Sequence, residues 1–366
     1  YNNIENYEKG LEILKTIESE VGDTVLWNWR VGYSYFFLED YVNAKKHFLK
    51  AYELDSDDED VCNFLVGVYL SLARNEDKKG NSIKALEYAF ESRKYVRNDE
   101  SELDSETLIA WLYDKSMDYT KAEEILKSIL AKNKEDEWVL SELGYCLSGQ
   151  GKYEEALEYL FKAKELGRDD DWINAELGIC YKEIDKFEEA LESYLLANEK
   201  NGEKSIWILS EIAWIYGVLD KFDDELNYLA KVKKLGRKDE WINAEYGKVY
   251  ARIEKYEEAL KYFKKAKKLG QDDAWINIQM AICFKRLNKL KKSLEHYLLA
   301  EKFKDYKKDI WLLSEIAWTY DGLGKYKDGL KYLKKIDKLG RKDCWFYTEY
   351  GFCLMRLEKY KEAITK

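Results

Sequence analysis

Apolar residues along this chain follow helical spacing in a pattern that recurs. The stretch WINAELGICY begins at Trp172 and has its apolar residues at Ile173, Leu177, Cys180 and Tyr181. Steps of three and four residues place such side chains on one face of an α-helix. The pattern therefore predicts a helix whose apolar face is buried.

A second apolar pattern follows after the short turn at Asp185. Its apolar and small residues stand at relative positions i, i+3, i+4, i+7 and i+10: Phe187, Ala190, Leu191, Tyr194 and Ala197. The alanines leave room for a neighbouring helix to approach closely. Together the two patterns predict a pair of antiparallel helices.

The first of these patterns returns six times. The recurring stretches are WVLSELGYCL at Trp138, WILSEIAWIY at Trp207, WINAEYGKVY at Trp241, WINIQMAICF at Trp275, WLLSEIAWTY at Trp311 and WFYTEYGFCL at Trp345. From Trp138 onward the tryptophans are 34, 35, 34, 34, 36 and 34 residues apart. A period of this length built from two helices is typical of repeat proteins in which each pair stacks on the next. We therefore predict an all-α solenoid of stacked antiparallel helix pairs.

The repeats extend over the whole chain, so we predict a single solenoid over residues 1–366. A half repeat covers 1–24, a truncated repeat covers 344–366, and the repeats between them begin near Val25, Asp60, Leu103, Glu137, Asp171, Ile206, Glu240, Ala274 and Ile310. The Asp60 repeat has 43 residues, and we expect most of its additional residues in a loop around ARNEDKKGNS. Because the chain opens on a second helix and closes within another, we expect a fragment of a longer protein.

Polar residues and glycines mark the ends of the predicted helices. An aspartate stands two residues before the tryptophan in five repeats, at Asp136, Asp170, Asp239, Asp273 and Asp343. A carboxylate at this position caps the free N–H groups of a helix. The sequences LGRDD and LGRKD close several second helices, where the left-handed conformation after a helix suits Gly167, Gly236 and Gly340.

A longer period of 103 or 104 residues overlies the short one. SEIAW in the Trp207 repeat returns in the Trp311 repeat, and KYEEALEY at Lys152 returns as KYEEALKY at Lys255. This indicates duplication of a block of three repeats. Duplicated blocks would present similar surface chemistry at regular intervals.

The composition and net charge of the chain limit the classes of partner that we expect it to bind. The chain has no proline, and hydrophobic residues make up 46% of it, which is too many for a disordered chain. Its net charge is −10, with lysine and glutamate interspersed. We therefore expect no nucleic-acid partner and no binding to an anionic membrane.

The six cysteines form no CxxC pair. Cys146, Cys180, Cys283 and Cys353 share one repeat position, where we expect a small buried apolar residue. Free cysteines favour a reduced, cytoplasmic location. No run of 18 apolar residues is present, so no transmembrane helix is expected. Richness in Lys, Asn, Glu and Ile favours a bacterial source.

No catalytic chemistry is predicted. The only histidines, His47 and His296, lie in second-helix patterns. The motifs GxxxxGK[ST], HExxH, GxSxG and GxGxxG are absent, as is any Cys/His cluster with zinc spacing. We therefore expect no enzyme activity, no metal and no cofactor.

The repeats resemble the tetratricopeptide repeat, a pair of helices in 34 residues. The positions that carry the resemblance are Leu177, Gly178 and Tyr181 in the first helix and Ala190, Tyr194 and Ala197 in the second. Where the family usually has a proline after the second helix, this chain has Arg168, Arg237, Gln271 and Arg341. The resemblance implies a right-handed superhelix and a non-catalytic scaffold that holds a protein or peptide on a concave groove lined by the first helices.

The resemblance also implies which residues face that groove. They are Trp172, Trp207, Trp241, Trp275 and Trp311 at the start of the first helix, Tyr145, Trp214, Trp318 and Phe352 two turns later, and Arg252, Arg286 and Arg356 after these. A tryptophan in each repeat suits packing between repeats as well as binding. The stronger candidates are Trp214 and Trp318, because other repeats have Ile, Lys or Phe at their position.

A ladder of glutamates accompanies the tryptophans. Its members are Glu142, Glu176, Glu211, Glu245, Glu315 and Glu349. Glutamates near a helix N-terminus complement its dipole and can pair with nearby lysines or arginines. The alternative is an acidic groove for a basic or amide-rich partner.

Taken together, the sequence predicts a scaffold that binds a protein or peptide partner. Two alternatives remain open at this point. The chain could be the sensor or regulatory region of a larger enzyme. It could also assemble with copies of itself through uncapped ends.

Overall fold

The computed structural model describes residues 6–132 and 136–365, and every regular element in these ranges is a helix. The first eleven helices are α1 (Tyr7–Thr16), α2 (Glu18–Val21), α3 (Val25–Phe37), α4 (Tyr41–Leu54), α5 (Glu59–Lys78), α6 (Ser82–Ser92), α7 (Asp99–Lys115), α8 (Tyr119–Lys132), α9 (Glu137–Gly149), α10 (Tyr153–Glu165) and α11 (Asp171–Glu183). The others are α12 (Phe187–Lys200), α13 (Ile206–Val218), α14 (Phe222–Lys234), α15 (Glu240–Arg252), α16 (Tyr256–Lys268), α17 (Ala274–Arg286), α18 (Leu290–Glu301), α19 (Ile310–Gly322), α20 (Tyr326–Lys338), α21 (Cys344–Arg356) and α22 (Tyr360–Ile364).

Consecutive helices pack as pairs, from α3 with α4 to α9 with α10 and from α13 with α14 to α21 with α22. We call the odd-numbered member of each pair from α3 onward the first helix and the even-numbered member the second helix. A second helix also packs on the first helix of the next pair, as α8 does on α9 and α16 on α17. This confirms the predicted all-α solenoid of stacked pairs. The chain divides into compact unit 1, Tyr1–Ser193, and compact unit 2, Tyr194–Lys366; a single solenoid over 1–366 stays a prediction.

Side-chain caps begin the first helices where the sequence predicts them. Asp136, Asp170, Asp239, Asp273 and Asp343 each accept a hydrogen bond from the backbone N–H three residues later, at 2.8 to 3.2 Å. Each such cap contributes about 1 kcal/mol. After the second helices, φ is +115° at Gly167, +107° at Gly236 and +91° at Gly340, which confirms the predicted left-handed glycines.

Small residues set the distance between the two helices of a pair. A Cβ atom on Gly247 of α15 would lie 2.6 Å from the ring of Phe263 on α16, and one on Gly144 would lie 2.6 Å from Leu160. Phe263 and Leu160 are fully buried, and each contributes about 2 to 3 kcal/mol of apolar burial. The four cysteines of the shared repeat position are free and buried, as predicted for a small apolar residue.

The long repeat corrects one prediction. Its additional residues do not form a loop around ARNEDKKGNS but extend α5 to 20 residues. The added turns are stabilised by satisfied carboxylates: Glu76 accepts from Lys79 at 2.9 Å, and both oxygens of Asp77 lie 2.7 Å from Lys115 Nζ on α7. The extension places Arg74 and Lys78 on α5 beyond the point where other first helices end.

Candidate functional site

An arginine ties each of three helix pairs to the first turn of the next. In compact unit 2 the guanidinium of Arg237, which follows α14, lies 4.0 Å from the ring centre of Trp241. Arg237 Nε donates to Asp239 at 2.9 Å, and its Nη1 donates to Ser210 on α13 at 3.2 Å. A cation–π contact and a charge-assisted hydrogen bond each contribute about 1 kcal/mol. We call this arrangement an arginine junction.

The other two arginine junctions use the same residue types. They are Arg341 with Ser314, Asp343 and Trp345 in compact unit 2, and Arg168 with Ser141, Asp170 and Trp172 in compact unit 1. In both, the guanidinium lies 4.5 Å from the ring centre. The arginines that replace the family's usual proline therefore have a packing role.

The tryptophans at the start of the first helices fall into two groups that differ in burial. Trp172, Trp241 and Trp345 are half-buried, with one ring face covered by the arginine. Trp275, which has no arginine before it, is half-buried and meets the ring of Phe263 edge-on, 6.1 Å between centroids. The contacts of these four tryptophans support the packing interpretation.

The second group of tryptophans is open to solvent. Trp138 is 36% exposed, Trp207 46% and Trp311 48%. Trp311 meets the preceding second helix edge-on at Tyr297, with 6.4 Å between ring centroids. Trp318, seven residues after Trp311 on α19, is 38% exposed.

Helix α19 presents Trp311 and Trp318 on one face, because seven residues are two helical turns. Lys285 Nζ, from α17, lies 4.1 Å from the ring centre of Trp318 and 2.7 Å from the Glu315 carboxylate. The hydroxyl of Tyr297 donates to the same carboxylate at 3.0 Å. The polar groups beside Trp318 are thus already held in place.

The other predicted aromatic residues are half-buried: Tyr145, Trp214 and Phe352. The ring of Tyr145 is 5.9 Å from that of Trp172. The guanidinium of Arg356 lies 4.8 Å from the ring of Phe352. These two contacts join predicted site residues to one another.

The predicted arginine row is not one uniform surface. Arg252 donates to the backbone carbonyl of Gly217 and to the carboxylate of Asp220, and it lies 4.8 Å from the ring of Phe222. Arg252 therefore takes part in packing α15 on the preceding pair. Arg286 is exposed at the end of α17.

The predicted glutamates have unlike surroundings. Glu142 and Glu176 are only 8% exposed, and burial raises the pKa of both to about 7. Glu245 forms an ion pair with Lys248 at 2.9 Å, and Glu211 is half-buried. This distribution favours the packing and ion-pairing interpretation over a row of accessible carboxylates.

Sequence reasoning missed a buried carboxylate in α14. Glu225 occupies the second-helix position that Ala190 has in its repeat, and it is fully buried without a hydrogen bond to any described residue. Gly217 makes room for it, since a Cβ there would lie 2.7 Å from the carboxylate. Burial raises the pKa of Glu225 to about 7, against the opposing charges of Lys248 and Arg252. The sequence signal that could have revealed this buried carboxylate is an acidic residue at a repeat position where Ala190 stands in its own repeat.

Sequence reasoning also missed a cavity in compact unit 1, where three first helices meet. It has a volume of about 340 Å³ and is lined by Arg74, Asp77 and Lys78 of α5, Thr107, Leu108 and Trp111 of α7, and Trp138 of α9. Trp111 directly follows the small residue of its repeat, as Trp214 and Trp318 do, at steps of 103 and 104 residues. The period of 103 or 104 residues could have identified Trp111 as a candidate site residue.

The two histidines have matching structural positions. His47 Nδ1 lies 3.2 Å from Asn28 Oδ1, and His296 Nδ1 lies 3.2 Å from Asn277 Oδ1. Burial lowers the pKa of both histidines. Over residues 6–132 and 136–365, no group of three or more His, Cys, Asp or Glu side chains could hold a metal ion. None of the described helices is long and apolar enough to cross a membrane.

Stacked two-helix repeats define an all-α helical-repeat protein. The tetratricopeptide repeat family matches residues 28–58, 115–171 and 242–273. These three stretches of the chain are therefore tetratricopeptide repeats. Proteins with this fold are generally non-catalytic scaffolds for protein–protein interaction.

Two solved structures show the same fold. The C-terminal part of a TPR repeat-containing protein from Cytophaga hutchinsonii matches with a TM-score of 0.55 and 16% identity, over 66% of this chain and 97% of that one. PilF from Pseudomonas aeruginosa matches with a TM-score of 0.50 and 18% identity, over 62% of this chain and 98% of that one. A comparison with curated proteins finds no match.

Proposed function

We propose that this protein is a non-catalytic scaffold that binds a protein or peptide partner on the surface of its first helices. The observation that carries the proposal is the exposed pair Trp311 and Trp318 on one face of α19. Their exposed surface is on the order of 200 Å². Burying it against a partner would contribute about 5 kcal/mol before the cost of association.

The surroundings of Trp318 suit a binding site in which the tryptophan ring contacts an apolar side chain of the partner. Polar groups of this chain lie at the edge of that contact. Lys285 and Glu315 already form an ion pair at 2.7 Å, so a partner does not have to order them. Trp207 of α13 occupies the repeat position of Trp311 and is 46% exposed. We therefore propose that compact unit 2 presents this kind of anchor on both α13 and α19.

The chemistry of the chain supports the rest of the proposal. A net charge of −10 disfavours nucleic acid and anionic lipid as partners. Five of the six cysteines are buried free thiols, which supports a cytoplasmic location.

The test is capture of partners from native lysate by the wild-type chain and by a Trp311→Ala/Trp318→Ala variant. We expect a captured protein to be lost with the variant, whose folding is checked by circular dichroism. Phe303→Ala is the matched control, because Phe303 is 38% exposed, as Trp318 is, but follows a second helix. Equal capture by wild type and the tryptophan variant would refute the proposed surface.

A further inference from the structure

The cavity between α5, α7 and α9 has an apolar lining. Leu108, Trp111 and Trp138 supply it, and Trp138 is 36% exposed. A volume of about 340 Å³ lies within the range of protein pockets that hold small ligands. It is large enough for one aromatic or large aliphatic side chain.

The rim of this cavity has an excess of positive charge. Arg74 and Lys78 are exposed, and neither forms a hydrogen bond or ion pair with any described residue. The lining carboxylate, Asp77, is already satisfied by Lys115 at 2.7 Å. Asp104 lies close enough for Arg74 to lower its pKa, although burial raises that pKa overall. Among the residues that line the cavity, the two cations Arg74 and Lys78 therefore face one carboxylate, Asp77, which is already paired.

The spacing of the two rim cations also favours an anion. Arg74 and Lys78 are four residues apart on α5, so they are neighbours on one helix face. Like charges at this spacing destabilise a helix by about 0.2 to 0.5 kcal/mol. A carboxylate between them would remove the repulsion and add charge-assisted hydrogen bonds.

Between the next two first helices, α9 and α11, side chains of this chain contact one another at the equivalent repeat positions. There Tyr145 and Trp172 take the repeat positions of Trp111 and Trp138, and their rings are 5.9 Å apart. Arg168 covers the Trp172 ring at 4.5 Å. In α7 and α9 the corresponding aromatic residues, Trp111 and Trp138, line the cavity.

We infer that this cavity binds an internal segment of a partner protein in which an apolar side chain stands beside an aspartate or glutamate. The apolar side chain enters between Trp111 and Trp138, and the carboxylate lies between Arg74 and Lys78. The net charge of −10 repels acidic segments from most of the surface, so this basic rim selects where such a segment docks. The inference rests on the proposed function and names one class of partner for it.

The test begins with random twelve-residue peptides displayed on phage and selected on the full chain. Enriched peptides are then synthesised with acetylated and amidated ends, which removes terminal charges, and their affinities are measured by fluorescence anisotropy. We expect a Phe, Trp or Leu within two residues of an Asp or Glu. Arg74→Glu/Lys78→Glu should weaken binding about tenfold or more, and peptides with lysine for the acidic residue should regain affinity on this variant.

The matched control is Lys264→Glu/Lys268→Glu, because these lysines are exposed and four residues apart on the second helix α16. It should change affinity less than twofold. Enriched peptides without acidic residues, or equal effects of the two double variants, would overturn the inference. Peptides lost on Trp311→Ala/Trp318→Ala alone would overturn it while supporting the proposed function. No enrichment would also overturn it, and capture from lysate would decide the proposed function separately.

Discussion

Replacing Glu225 with glutamine removes a titratable proton without changing side-chain shape. The pKa of Glu225 is about 7 in the folded chain, against an ordinary value of 4.5. Below pH 4.5 the carboxyl is protonated in both states, so its burial costs no charge. Between pH 4.5 and 7 the unfolded chain loses its proton first, and stability falls as pH rises. Above pH 7 the full cost is present.

The size of this cost follows from the shift in pKa. A change from 4.5 to about 7 corresponds to about 3 kcal/mol. Allowing for solvent screening, we expect Glu225→Gln to stabilise the α13/α14 pair by about 2 kcal/mol at pH 8. At pH 5, where only part of the unfolded population is ionised, the gain should be below about 1 kcal/mol.

Amide hydrogen exchange of α13 and α14 measures this gain locally, which suits a repeat protein whose pairs need not unfold together. At pH 8 the variant should exchange about thirtyfold more slowly than wild type, and at pH 5 only a few-fold more slowly. Asp224→Asn is the control, because Asp224 is the adjacent carboxylate and is exposed. Faster exchange of Glu225→Gln at pH 8, or an equal effect at both pH values, would refute the reasoning.

Two further predictions concern packing within compact unit 2. Gly217→Ala places a methyl group 2.7 Å from the Glu225 carboxylate, so it should cost about 1 to 2 kcal/mol in urea unfolding; adding Glu225→Ala should cancel most of the loss, and additive costs would contradict the clash. Asp239→Asn keeps a helix cap but turns an amide toward Arg237, so it should cost about 1 to 2 kcal/mol. Asp309 caps α19 by accepting a hydrogen bond from the Leu312 N–H at 2.6 Å, and no arginine stands two residues before it, so Asp309→Asn should be nearly neutral in the same measurement.

The fold could be predicted because its determinants are local and repeated. Helical periodicity, caps such as Asp170 and the glycines such as Gly167 each report on a few neighbouring residues, and each recurs with the same spacing. The α5 extension shows the limit of this reasoning. ARNEDKKGNS has the polar composition of a loop, yet Lys115 from another helix pair neutralises Asp77 and the segment remains helical.

The surroundings of the candidate site were less accessible from sequence, because they depend on contacts between repeats. Trp241 and Trp311 occupy the same repeat position, but only Trp241 has an arginine four residues before it to cover the ring. Glu176 shows that repeat position alone does not reveal burial, since a groove carboxylate and a buried one look alike in the pattern. Trp111 was missed because its repeat lacks the initial tryptophan that guided the alignment.

The arginine junctions also have a mechanical consequence. Within compact unit 2, Arg237 and Arg341 each join a preceding first helix to a following one. The side chain of the equivalent Gln271 donates to Asp273 at 3.5 Å and has no other hydrogen bond to a described residue. Stretching the chain between its ends loads these junctions in series, so the weakest should yield first. Single-molecule pulling on compact unit 2 should therefore begin at a junction without an arginine, and Gln271→Arg should raise the force that separates α16 from α17.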